Sequence, residues 1–244
     1  MLATSSWLGV AIALLIALRL ASFVHNTGEL RSLTSVVAHT GRCERHHAEH
    51  RGFEDFAVFE GGDLVSFASD HQHFAFKFGV SMRQMLSDKM ERPEAHARIL
   101  RASGAQKWRQ LALHNVPADF HPHGLAAWGK IGSAGSIMAV VNHRSTHDTI
   151  EIFSMRHSTA KHVRSIAHPL LFNVNDCTIA LASLLFCTNW RSYETGTIMD
   201  AIELYGQQPW STVVACDISL KTEPLSCEIA ARCATPSHRM IASA

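Results

Sequence analysis

Seven short apolar runs, bounded by Gly, Asp, Asn or His, set the strongest limit on how this chain can fold. They are FAVFEGG (56–62), LVSFAS (64–69), FAFKFG (74–79), IMAVVNH (137–143), TIEIFSM (149–155), CTIALASLLFC (177–187) and STVVACDI (211–218). Runs of about four to eight residues, rich in Val, Ile and Phe and closed by turn formers, read as strands. The run 149–155 alternates apolar and polar residues, which predicts a strand with one face in water. Met82, Met85, Leu86 and Met90 fall at helical spacing, so Arg83 to Gln110 reads as a helical or irregular insertion. The expectation is an all-β architecture. A four-stranded propeller blade takes about 40 to 45 residues, so the span after the N-terminal segment has room for roughly five at most. No crisp internal repeat is visible.

The N-terminus is of another kind. An uncharged apolar stretch runs from Trp7 to Leu18, is broken by Arg19 and resumes from Leu20 to Val24. Residues 1–24 read as a signal peptide or signal anchor, and residues 25–244 as the β domain. About 20 apolar residues span a bilayer, so an anchor requires Arg19 to snorkel. A cut after Ala21 would put Arg19 where a small residue is preferred. A buried core helix is the plain alternative. The expected compartment is the secretory pathway, with the protein membrane-anchored or extracellular.

Composition excludes some partners. With 22 Lys and Arg against 21 Asp and Glu, the formal net charge is +1, and no basic surplus exists to neutralise a nucleic-acid backbone. Hydrophobic residues make up 47% of the chain and charged residues 18%, enough for a sizeable core and too apolar for a disordered chain. Six cysteines stand at 43, 177, 187, 216, 227 and 233 without a CxxC pair, so zinc-ribbon and thioredoxin readings lack support. Some of them can be bridged in an oxidising compartment, with a connectivity that spacing does not give. Among the 17 histidines, His46 and His50 have i, i+4 spacing, and with His47, His71 and His73 they define a transition-metal reading that lacks a closing ligand set.

Three constellations carry chemistry: Gly52-Phe53-Glu54-Asp55, then Phe120-His121-Pro122-His123-Gly124-Leu125, then Val141-Asn142-His143 with Asn173-Val174-Asn175-Asp176. Each alone is an ordinary turn or strand end. Their order and spacing, together with Cys43, HPLLFNVNDCTIA (168–180), the Thr188-Asn189-Trp190 triplet and PWSTVV (209–214), resemble the paraoxonase/arylesterase family of calcium-dependent lactonases and aryl esterases. The resemblance covers about two thirds of the chain and is poor between Asp70 and Asp119. The Phe-x-Pro-His-Gly and Val-Asn-His blocks favour this family over the senescence-marker and gluconolactonase propellers.

The resemblance implies a six-bladed β-propeller, of which this chain is expected to hold the N-terminal blades behind a hydrophobic helix. It implies two calcium ions: Glu54 and Asn175 at a catalytic ion, and Asp55, Asp176 and the Leu125 backbone carbonyl at a deeper structural ion. Calcium takes about six to eight oxygen ligands, which suits this set better than it suits zinc. It implies His123 as the general base that activates water and His143 as its orienting or proton-shuttling partner, with calcium polarising the ester carbonyl. The substrates implied are small aryl esters or lactones.

The pattern also breaks. Three further ligands of the family's catalytic calcium, an Asn and an Asp-Asn pair, find no match, because Arg232 to His238 stands where Phe-Ala-Asn-Gly is expected. Cys43 matches a family cysteine whose partner lies near the C-terminus, and Trp190 stands where an Asp is usual. A second expectation follows, of a non-catalytic, membrane-associated propeller fragment that acts as a binding protein.

Overall fold

The computed structural model describes residues 3–27, 53–69, 95–100, 109–206, 208–219 and 226–232. These form thirteen strands and two helices: α1 (Ala3–Thr27), β1 (Phe53–Val58), β2 (Leu64–Ser69), β3 (Ala95–Leu100), β4 (Arg109–Gln110), β5 (Ala112–His114), β6 (Pro122–Trp128), β7 (Ile137–His143), β8 (Asp148–Arg156), β9 (Thr159–Ile166), β10 (Val174–Leu181), β11 (Leu184–Asn189), α2 (Ile198–Tyr205), β12 (Thr212–Asp217) and β13 (Cys227–Arg232). The strands pair as three sheets, β1-β2-β3-β4, β5-β9-β8-β7-β6 and β10-β11-β12-β13. All pairs are antiparallel except β5 with β9. Short turns join β1 to β2, β7 to β8, β8 to β9 and β10 to β11, with Gly61 and Gly62 taking left-handed φ values of 93° and 85° in the β1–β2 turn.

The edge strands β1, β6 and β10 of the three sheets lie together as inner strands, with β6 packed against both β1 and β10. The architecture is all-β and propeller-like. Among the described residues the sheets form an arc of three and do not close a ring.

The middle sheet carries core on both faces. One cluster joins Phe67, Phe120, Met138, Val140, Phe153 and Met155, with the rings of Phe67 and Phe120 edge to face at 5.8 Å. The other joins Ala139, Val141, Ile150, Ile152, Val174, Leu185 and Val214. Residues 138 and 140 face one way and 139 and 141 the other, as the two-residue period of a strand requires. This overturns the expectation of a solvated face for 149–155. Thr149 and Glu151 are buried, tied into hydrogen bonds with Asn142, Arg144, His162 and Ser165.

The insertion expected from Arg83 to Gln110 also reads differently where it is described. Ala95–Leu100 pairs with β2 along its full length, and Arg109–Gln110 pairs with β3. Residues 83–94 and 101–108 lie outside the described residues, as do FAFKFG, Cys43, Cys233 and His46, His47, His50, His71 and His73.

Two disulfides tie strands of the third sheet. Cys177–Cys187 joins a directly opposed pair on β10 and β11, and Cys216–Cys227 does the same on β12 and β13. Disulfides form and persist in oxidising compartments, which fits the secretory route.

Helix α1 does not join the core. Trp7, Val10, Leu14, Leu15, Ile16 and Leu18 are all more than half exposed. Among the described residues, no helix is long and apolar enough to cross a membrane. Helix α1 touches α2, whose two sides are the reverse of the usual arrangement. Asp200 and Glu203 are buried, engaging Arg191 and the Ser192 and Gly196 amides, while Ile198, Met199, Ile202 and Tyr205 are exposed. Thr197 caps the helix by accepting the Asp200 N–H at 3.1 Å.

Candidate active site at three bulged inner strands

All three inner strands carry a bulge at the residues singled out from sequence. The β1–β2 register shifts between Phe53 and Phe56, the β6–β7 register between Pro122 and Leu125, and the β10–β11 register between Val174 and Asp176. A bulge adds an unpaired residue and re-aims the side chains around it. Strict alternation would send neighbours to opposite faces, yet Asn175 and Asp176 are both exposed. The β10 bulge thus leaves both Asn175 and Asp176 open to solvent.

Asp55 and Asp176 come together near the Leu125 amide. Asp55 Oδ1 accepts the Phe56 N–H at 2.7 Å, and its Oδ2 accepts the Leu125 N–H at 2.7 Å. Asp176 Oδ1 accepts the Cys177 N–H at 2.7 Å. Burial pushes the Asp176 carboxyl above its ordinary value and the charge of Asp55 pushes it further, against the Cys177 and Leu125 amides and the nearby His123, which pull it down. Two carboxylates that repel each other in partly desolvated surroundings suit a hard divalent cation with oxygen ligands.

Of the expected metal set, the structure brings together Asp55, Asp176 and Leu125, the last through its N–H. Asn175 lies beside them on β10. Glu54 lies on β1 with its side chain outside the described part. Among the described residues, no group of three or more His, Cys, Asp or Glu side chains is gathered as a metal cluster.

Gly124 is what lets β10 come so close. A Cβ there would meet the Asn175 carbonyl oxygen at 2.5 Å and the Asp176 Cα at 2.6 Å, so only glycine fits between His123 and Leu125.

His123 and His143 meet across the β6–β7 pair. His123 Nδ1 lies 2.8 Å from His143 Nε2, and the ring centroids are 5.0 Å apart. Both rings are half-buried. On the far side of His143, Nδ1 lies 3.0 Å from Asp148 Oδ1. Asp148 Oδ2 accepts the Val174 N–H at 3.0 Å.

A buried network backs this pair. Asn142 accepts the His121 N–H at 2.7 Å and donates to Glu151 at 2.9 Å, which fixes the entry to β6. Glu151 also accepts from Thr149, Arg144, Ser165 and His162. Burial raises its pKa, but the hydrogen bonds from Asn142, Ser165, Thr149 and Arg144 outweigh that and hold it at about 2. Asp148, Glu151 and Arg144 were not picked out from sequence. An Asp five residues after a histidine, across a hairpin, was the available signal for Asp148.

Comparison with known proteins gives a consistent match. A family model described as Arylesterase matches residues 89–219. The chain is similar to serum paraoxonase/arylesterase 2 of Homo sapiens, at 29% identity over 222 residues, covering 85% of this chain and 55% of that protein. It is similar to the proteins of the same name from Canis lupus familiaris and Rattus norvegicus, each at 31% identity over 100 residues, 40% of this chain and 27% of each relative. The chain therefore spans about half the length of the human relative that it matches most extensively among these.

Proposed function

This chain belongs to the arylesterase family, and from that membership we propose that it hydrolyses small carboxylic esters, aryl esters or lactones, in a calcium-dependent reaction. The three sheets are read as blades of a six-bladed ring whose inner strands line the site. The observation that carries the proposal is the 2.8 Å contact between His123 and His143 beside the paired carboxylates of Asp55 and Asp176.

His123 is the general base. It takes a proton from the attacking water, and its contact with His143 gives that proton a route away from the reacting centre. Half-burial keeps the ring reachable by a small ester while removing most bulk water around it. Glu54 and Asn175 would hold one calcium ion, and Asp55, Asp176 and Leu125 a deeper one. When bound, calcium would supply charge stabilisation for the ester oxygen in the transition state. Asn142 and Glu151 keep the β6 bulge in place, and with it the direction of His123.

The exposed apolar surface of α1, with Ile198, Ile202 and Tyr205 of the touching α2, supports a lipid or membrane surface as a partner. An amphipathic contact of this kind lies on the bilayer and does not need to span it. A secretory-pathway protein, membrane-anchored or extracellular, is the matching localisation.

The test is hydrolysis of phenyl acetate and of a simple lactone by the purified full chain, in calcium and in excess chelator. Turnover is expected only in calcium, with His123→Gln lowering kcat by about 100-fold to 10,000-fold. Undiminished rates in chelator, or in His123→Gln, would overturn the proposal.

A further inference from the structure

Among the described residues, Asp148 is one of the most constrained polar side chains. It is 3% exposed, stands opposite His143 in the β7–β8 ladder, and uses both oxygens. Oδ1 faces His143 Nδ1 and Oδ2 accepts the Val174 amide at the start of β10. We propose that Asp148 is the positioning residue that sets the tautomer of His143 and, through it, that of His123. The proposal rests on the reading in which these two histidines serve ester hydrolysis.

Donors and acceptors fix where each proton sits. A backbone amide can only donate, so Oδ2 is committed to Val174. A carboxylate offers acceptors alone, so His143 must carry its hydrogen on Nδ1. Its Nε2 then presents a lone pair to His123 at 2.8 Å, and His123 Nδ1 must be the donor. That leaves the basic lone pair of His123 on Nε2, the nitrogen turned away from His143. From the Val174 amide to His123 the chain of hydrogen bonds has one consistent direction. The carboxylate itself exchanges no proton and touches no substrate.

Asp148→Asn reverses the chain. The Val174 amide still donates, so the new side chain must turn its oxygen there and present its NH2 to His143. His143 is forced to accept at Nδ1 and to carry hydrogen on Nε2. His123 then accepts at Nδ1 and loses the lone pair on Nε2. A residue that merely braced the fold would leave both tautomers unchanged.

The experiment is a long-range 1H–15N spectrum of the full chain labelled at histidine, recorded at mildly alkaline pH, with the His143 signals identified by their loss in His143→Asn. The expected wild-type pattern is hydrogen on Nδ1 of His143, and Asp148→Asn is expected to exchange the two nitrogens. Alongside, kcat for the ester is expected to fall on the order of 100-fold or more with KM little changed. Hydrogen on Nε2 of wild-type His143, or an unchanged tautomer in Asp148→Asn, would overturn the proposal. Should Asp148→Asn fail to fold, the wild-type spectrum decides alone. An absence of ester turnover in the wild type would defeat the proposed function, while the spectrum would still decide the role of Asp148.

Discussion

Gly124 and Asp176 stand so close that a Cβ on the glycine would lie 2.6 Å from the Asp176 Cα and 2.7 Å from its Oδ1. Two of these neighbours, that Cα and the Asn175 carbonyl, are backbone and cannot swing aside. Gly124→Ala is therefore expected to push β10 away from β6, at a cost of about 1 to 3 kcal/mol or more. A drop in the denaturant midpoint together with lost ester turnover is the expected outcome. Wild-type stability in Gly124→Ala would mean that β10 lies further from β6 than described.

Glu151 makes a pH-dependent contribution whose sign follows from its depressed pKa of about 2, against an ordinary value of 4.5. A carboxyl held low in the folded state contributes stability above its unfolded value and loses it as pH falls through the folded one. The loss runs from about pH 4.5 down to about pH 2, and amounts to about 3 kcal/mol. Glu151→Gln is expected to be less stable by about 3 to 5 kcal/mol at neutral pH, since it leaves Arg144 without its buried partner. Its stability should change less than that of the wild type across the acid window. Parallel pH profiles in urea unfolding would contradict this.

Much of the strand pattern was legible in sequence, because β-branched and aromatic runs between turn formers announce themselves locally. What escaped was what partners distant in sequence decide. Thr149 and Glu151 look like the wet face of a strand until Asn142, Arg144, His162 and Ser165 close around them. Ala95–Leu100 has a weak strand signal of its own and is recruited by pairing with β2. The candidate histidines were readable from motif, and so were Asp55 and Asp176. The bulges that aim them, and Asp148 behind them, depend on register between strands far apart in sequence.

Each cross-strand disulfide closes a short loop, with sequence separations of 10 and 11. Loops of that size are expected to contribute about 2 to 3 kcal/mol apiece by restricting the unfolded chain. Replacing Cys177 and Cys187 together by Ala should lower the midpoint of thermal unfolding and reduce the further effect of adding a reductant. A reductant that leaves the wild-type midpoint unmoved would exclude these bridges.

The apolar face of α2 gives a separable prediction. Ile198 is 80% exposed and Ile202 45%, so Ile198→Asp with Ile202→Asp is expected to leave folding stability within about 0.5 kcal/mol. Burying such side chains in a bilayer is favourable by up to about 1.5 to 3 kcal/mol each, so cosedimentation with phosphatidylcholine vesicles should weaken about tenfold or more. Unchanged vesicle binding would remove α2 from the proposed lipid contact.

The measurement that tests the account most directly is thermal unfolding of the full chain in millimolar calcium and in excess chelator, for the wild type and for Asp55→Asn with Asp176→Asn. A ligand that binds only the folded state stabilises it by about 2.7 kcal/mol at a hundredfold excess over Kd. The wild-type transition is expected to be cooperative and to move upward with calcium, and that of the double variant to be unmoved by it. A wild-type melt indifferent to calcium would contradict the claim that the three bulged strands assemble a calcium site.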